Sequence, residues 1–140
     1  MIVVDTNVLS EALKPDPSPR VLAWLSTHAP VYRVPAIVLA EMWAGLDVLP
    51  SGARKKRLAT AVERIAERTR TLDRLLPVTA EVARAFGTVV AERKRKGRTT
   101  KPMDGLIAAT ALVHGASIAT RNDDDFSHVG LRLVNPWQDT

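Results

Sequence analysis

The chain has no cysteine, which excludes disulfides and thiolate metal sites and makes a reducing compartment the easier fit. It has no long apolar run either. The longest stretch without a formal charge, Gly105 to Thr120, contains His114, Gly115 and many small residues, and a membrane span needs about 20 apolar residues. No charged-then-apolar leader precedes the first strand, so no signal peptide is expected and a cytoplasmic location follows as the expectation. The phosphate-cradling patterns G-x-x-x-x-G-K-S/T and G-x-G-x-x-G are absent, which removes nucleotide binding by those loops. The absence of G-x-S-x-G and of any thiol nucleophile removes the commonest acyl-transfer designs. Three histidines, at 28, 114 and 128, stand far apart without ligand spacing, and His114 beside Gly115 reads as a helix C-terminal residue favoured by the dipole.

What is present is a chain of 140 residues, long enough for one domain with a sizeable core, and 46% of it is hydrophobic, mostly Ala, Val and Leu. Twenty Lys and Arg against 15 Asp and Glu give a net charge of +5. The basic residues cluster at Arg54-Lys55-Lys56-Arg57 and at Arg93-Lys94-Arg95-Lys96, with Arg98 and Lys101 close behind. Such a local positive field suits a polyanion such as nucleic acid, although a charge run is more commonly a solvated helix face.

Ile2, Val3 and Val4 run straight into Asp5, the pattern of a buried strand ending in a loop. In open α/β sheets ligands bind at the carboxyl ends of the strands, so Asp5 is a candidate site residue; as the N-cap of the next helix it would have a purely structural role. The chain then reads as a short helix over Val8 to Leu13, a proline-broken segment, and a second helix begun by Ser18 and Pro19. Val31 to Val34 is a strand stopped by Pro35, and Ala36 to Val48 a helix apolar on nearly every face, hence buried. Ser51 is read as the cap of an amphipathic helix over Ala53 to Arg70, and Leu75 to Val78 as a short strand. Thr79 caps a helix from Ala80 to about Lys96 with Val82, Ala83, Phe86, Val89 and Val90 inside and Gly97 as its stop. After the polar loop Arg98 to Pro102 comes a second nearly all-apolar helix, Met103 to Val113, then a strand Ser117 to Ala119, an acidic turn Asn122 to Asp125 and a last strand Leu131 to Val134. Strands alternating with helices predict an α/β domain with a parallel sheet covered on both faces.

Glu41 and Asp104 stand out on this background. Glu41 has Ile37, Val38, Ala44 and Gly45 as its helical neighbours, and Asp104 has Met103, Ile107 and Ala108. A buried, unpaired carboxylate costs several kcal/mol, so each needs a cation, hydrogen bonds or a raised pKa. The structural alternatives are an arginine partner for Glu41 and the helix N-terminus for Asp104. Asp5, Glu41 and Asp104 meeting in one crevice would repel one another unless a hard cation sat among them, and an all-oxygen set selects Mg²⁺ or Mn²⁺ over Zn²⁺.

Four stretches in order, I-V-V-D-T-N-V-L-S from Ile2, A-E-M-W-A-G around Glu41, D-G-L-I-A-A-T-A from Asp104 and A-T-R-N-D-D-D-F near the end, followed by N-P-W, resemble the PIN-domain ribonucleases, and among them the VapC-type toxins with their FitB-like members. The similarity runs from Ile2 to Trp137. It implies a single PIN domain over 1–140, a three-layer α/β/α sandwich with a central parallel sheet, an acidic pocket for Mg²⁺ or Mn²⁺, and endonucleolytic cleavage of RNA. The family's first three acids match Asp5, Glu41 and Asp104. At the fourth the sequence departs: Asn122 stands where some members have Asp, and Asp125 is the acid that would complete the pocket. Asn122 could still hold a metal-bound water through its amide oxygen, Thr6, Asn7 and Thr120 match small polar positions around that pocket, and Arg93, Arg95, Lys96, Arg98 and Lys101 are the candidate RNA-binding residues. The implied partners are RNA and a small VapB-like antitoxin, in a homodimer or a larger assembly without a membrane. The alternative is a non-catalytic nucleic-acid-binding regulatory module. A haloacid-dehalogenase-type phosphatase needs D-x-D where this chain has Asn7, and a receiver domain needs an acidic pair after its first strand.

Overall fold

A computed structural model describes residues 1–138; the last two positions of the 1–140 unit lie outside the described residues. The β-branched run at the start forms β1 (Ile2–Val4), followed in chain order by β2 (Tyr32–Pro35), β3 (Leu75–Leu76), β4 (Ser117–Ala119) and β5 (Leu133–Val134). They make one five-stranded sheet in the order β3-β2-β1-β4-β5, parallel throughout. β1 is central: Val3 pairs with Arg33 on one side and Ile118 on the other, and Val4 with Ala119. Val3, Val4, Ile118 and Ala119 are wholly buried, as strands covered on both faces must be. The strand order reverses between β1 and β4, which places the ligand crevice of such a sheet beyond their carboxyl ends.

The helices are α1 (Thr6–Glu11), α2 (Pro19–Thr27), α3 (Ala36–Asp47), α4 (Ala53–Thr71), α5 (Ala80–Arg95), α6 (Pro102–Val113) and α7 (Asp123–Phe126). They flank the central sheet as the expected α/β/α sandwich. α6 contributes Ile107, Ala108, Ala109 and Ala111 to the buried core. Its close fit depends on Gly105, where an added Cβ would stand 2.7 Å from the Phe86 ring and 2.8 Å from Thr100 Cγ2. Without a side chain at 105, α6 settles against α5 and the loop before it, which fixes the position of Asp104 next door.

Several expectations change in detail. Gly52, not Ser51, stands at the N-cap of α4, and no side chain caps it. β3 ends at Leu76 because Pro77 brings no N–H to the ladder, and Pro35 is the last residue of β2, where that loss is tolerated. The acidic turn folds into α7, with three Asp in its first turn favoured by the dipole. α3 is not buried all round: Ala40, Ala44 and Gly45 are exposed, so Glu41 is half-buried at the edge of an open small-residue face.

Candidate functional site

Asp5 follows β1 and is 4% exposed. Its backbone N–H donates to Ala119 O at 2.9 Å, which extends the β1–β4 pairing and carries the side chain into the crevice. Both carboxylate oxygens are engaged. Oδ1 accepts from the Thr6 N–H at 2.7 Å, and Oδ2 from the Thr120 hydroxyl at 2.7 Å. The capping and site readings of Asp5 are therefore compatible, since one oxygen caps α1 while the other is oriented from β4. Thr120 Oγ1 in turn accepts from the Asn122 N–H at 3.0 Å, and the Thr6 hydroxyl donates to Glu41 Oε1 at 2.7 Å. A short relay of hydroxyls thus orients the two acids nearest the sheet.

Asp104 lies in the first turn of α6 and Asp125 in α7, with Lys101 Nζ 3.4 Å from Asp125 Oδ1. Desolvation, and then the negative charges of Asp125, Asp5 and Glu41, push the Asp104 carboxyl up to about 6, with Lys101 opposing. Burial also raises Asp5; the Thr120 and Thr6 hydrogen bonds work against it, and the charges of Glu41 and Asp125 add to it. Four acids from four elements therefore share one electrostatic field. They do not form a closed cage: among the described residues no three acidic or histidine side chains converge tightly enough for that. Mg²⁺ does not require one, because it is commonly held by one or two carboxylates and keeps several waters. An all-oxygen set with excess negative charge fits such an ion. Two residues after Asp5, Asn7 Oδ1 is buried and without a hydrogen-bond partner among the described residues.

The remaining predicted positions separate. Asn122 is exposed and its side chain does not cap α7, so only its backbone takes part. Arg98 is exposed, Arg95 pairs loosely with Glu92 at 3.5 Å, and Lys96 Nζ donates to His128 O at 2.9 Å. Arg93 contradicts its expected role. It is 4% exposed and four of its five guanidinium N–H donors go to internal acceptors, so it is not presented to an RNA phosphate. The sequence signal was available: position 93 is four residues beyond Val89 and seven beyond Phe86, on the inner stripe of α5. Glu11 was also missed. It is 4% exposed, accepts from the Ser18 N–H at 2.9 Å and pairs with Lys14 at 2.8 Å, which lowers its carboxyl and ties down the proline-rich loop. The spacing of Glu11 and Lys14 was its signal.

A groove of about 710 Å³ opens beside Thr6 and Glu41 between α1, α3 and α4. Leu13, Met42, Leu46, Leu49, Leu58 and Val62 line it, with Lys14, Arg54 and Arg57 also on its walls.

The sequence profile of the PIN domain matches residues 2–131. The VapC ribonuclease Y4jK of Sinorhizobium fredii is 37% identical over 140 residues, spanning 99% of each chain. Toxin FitB of Neisseria gonorrhoeae is also 37% identical, over 99% of this chain and 100% of its own. Among solved structures, that of FitAB bound to an IR36 DNA fragment superposes with a TM-score of 0.90 at 35% identity, covering 100% of this chain and 98% of the other. With these similarities spanning the chain, and with its acids set beyond the β1–β4 switch point, the chain belongs to the PIN-domain family, among the VapC- and FitB-type toxins.

Proposed function

We propose that this protein is a divalent-metal-dependent endoribonuclease, the toxin of a toxin-antitoxin pair, and that the whole chain, 1–140, acts as one PIN unit. The observation that carries the reading is the convergence of like charge at the switch point. Burial first, and then the charges of Asp125, Asp5 and Glu41, push the Asp104 carboxyl up to about 6, with Lys101 in opposition. An arrangement that penalises its own ionisation suits a pocket whose charge a dication balances in use. The names of the relatives, VapC ribonuclease and toxin FitB, support RNA as the substrate and toxicity as the role.

Asp5 and Asp104 would hold the Mg²⁺ or Mn²⁺, with Glu41 and Asp125 binding a second ion or orienting the attacking water. When bound, the metal supplies Lewis-acid polarisation of the scissile phosphate and a water of lowered pKa. The protein's own part is positional. Thr120 and Thr6 fix both oxygens of Asp5, and the Thr6 hydroxyl turns Glu41 toward the pocket. Lys101, beside Asp125, meets the phosphate backbone at the pocket mouth, with the exposed Arg95, Lys96 and Arg98 guiding RNA toward it. The groove beside Glu41 suits an apolar segment of a small VapB-like antitoxin, and toxin and antitoxin form a homodimeric or larger assembly. No helix among the described residues is long and apolar enough to cross a membrane.

The test is incubation of the purified protein, freed of antitoxin, with a mixed RNA panel in Mg²⁺ or in EDTA. Cleavage in Mg²⁺ that EDTA abolishes is expected. Salt-sensitive RNA binding without cleavage would instead favour a non-catalytic binding module.

A further inference from the structure

Arg93 is a buried cation on the inner stripe of α5, and its hydrogen bonds divide between two segments that are remote from each other in sequence. Nε donates to Thr100 Oγ1 at 3.1 Å and an Nη2 proton to Thr99 O at 3.2 Å. Nη1 donates to Ser127 O at 2.7 Å and to Asp124 O at 3.3 Å. The first segment runs into Lys101 and Pro102 and so into the first turn of α6, where Asp104 sits. The second brackets Asp125, one residue on one side and two on the other. All four acceptors are neutral. A charge buried among carbonyls and a hydroxyl is a poor way to gain stability when apolar packing is available, so what it supplies is geometry. The planar guanidinium has its donors in a fixed fork, which sets the separation of whatever its edges hold.

Neighbouring contacts act the same way. Arg93 O accepts from the Arg98 N–H at 2.8 Å, and Lys96 Nζ reaches His128 O at 2.9 Å, so the end of α5 anchors both loops twice. Thr100 Cγ2 packs where a Cβ on Gly105 would lie, 2.8 Å away, which carries the register of the first segment directly to α6. We infer that Arg93 is a positioning residue that clamps the 98–101 loop to the α7 segment and so fixes Asp125 and Lys101 relative to Asp104. The inference rests on the metal-site reading for its functional consequence, but not for the clamp itself.

The experiment uses Arg93→Lys, which keeps the charge but not the fork, and Thr100→Val, which keeps the shape but removes the Nε acceptor. Two readouts are taken at a temperature where the proteins are folded: Mn²⁺ affinity by calorimetry without RNA, and amide hydrogen exchange. Arg93→Lys should weaken Mn²⁺ binding about tenfold, the low end for groups that orient ligands, and Thr100→Val, which removes one of the four hydrogen bonds, about threefold. The amides of Arg98 and Asp125 should exchange faster in both variants, with those of β1 and β2 unchanged. If Arg93→Lys does not fold, Thr100→Val decides by the same readouts. Unchanged exchange at the two amides overturns the clamp, and faster exchange with wild-type Mn²⁺ affinity reduces Arg93 to a structural strut. A wild-type protein that binds no Mn²⁺ while the variants still loosen both amides refutes the metal reading and leaves the clamp standing.

Discussion

The two halves of the acidic pocket are built differently. On the sheet side, Asp5 is 4% exposed, its backbone is paired to β4, and both of its oxygens accept hydrogen bonds, while Glu41 is oriented by the Thr6 hydroxyl. On the helix side, Asp104 and Asp125 sit in the first turns of two helices, Lys101 stands 3.4 Å from Asp125, and its charge also bears on Asp104. The sheet side is ordered by backbone register, and the helix side by a loop clamp some distance from the acids. Each half supplies one proposed metal ligand, Asp5 from the rigidly placed side and Asp104 from the side where burial and like charge push its carboxyl up to about 6.

Removing the proposed ligand of the strained half should have the largest effect and separate function from stability. Asp104→Asn should lose at least about a hundredfold in Mg²⁺-dependent cleavage, beyond the roughly 10–100-fold that outer partners of a metal ligand command. It should also stabilise the metal-free protein. The folded Asp104 carboxyl titrates near 6 against an ordinary 3.8, so between these values the folded state keeps a proton that the unfolded chain has released. The contribution of this group to stability therefore falls as pH rises from about 4 to about 6. The difference between wild-type and Asp104→Asn denaturation curves should show that loss and level off above it, at about 1 kcal/mol once solvent screening of a half-exposed group is allowed for. Glu11, whose carboxyl is lowered, runs the other way and gives stability that is lost on acidification, which is why the difference curve is the measurement to make.

Thr120→Val attacks the ordered half. It removes the donor to Asp5 Oδ2 and the acceptor of the Asn122 N–H, and should weaken metal binding by roughly 10–100-fold with a stability loss of about 1–3 kcal/mol. Calorimetry and denaturant melts read the two effects separately. If Thr120→Val left metal binding intact, the ordered half would need no outer support and the contrast would fail.

Much of this was legible beforehand, and the reasons differ by residue. Asp5 could be read because a β-branched run ending in an acid is a local pattern, and Glu41 and Asp104 because an acid on an apolar helix is anomalous whatever the fold. The helix boundaries followed from caps and stops such as Thr79, Gly97 and Pro102. The open face of α3 was not legible, since Ala40, Ala44 and Gly45 carry too little side chain to distinguish surface from core. Arg93 was hidden inside a charge run, where composition suggested solvent and helical phase placed it in the core. Its partners at 99, 100, 124 and 127 are long-range contacts that no local pattern encodes.

Smaller effects resolve the fourth position. Asp125→Asn should cut cleavage about tenfold, the low end for groups around a metal. It should also bring the Asp104 carboxyl down toward its ordinary value, because Asp125 is the strongest of the charges acting on it; carbon-detected NMR titration of both proteins measures that shift. Asn122→Ala should change cleavage by no more than about twofold, as for an exposed side chain with no partner among the described residues, since its N–H bond to Thr120 survives. The reverse ranking would move the fourth ligand to Asn122.

The most direct measurement of the central claim is the thermal midpoint of wild type and Asp104→Asn with and without Mn²⁺ at neutral pH. The account predicts that Mn²⁺ raises the wild-type midpoint and leaves the variant unmoved, while the variant starts higher without metal. A wild-type midpoint that does not respond to Mn²⁺, or a variant that responds as strongly as wild type, would contradict it.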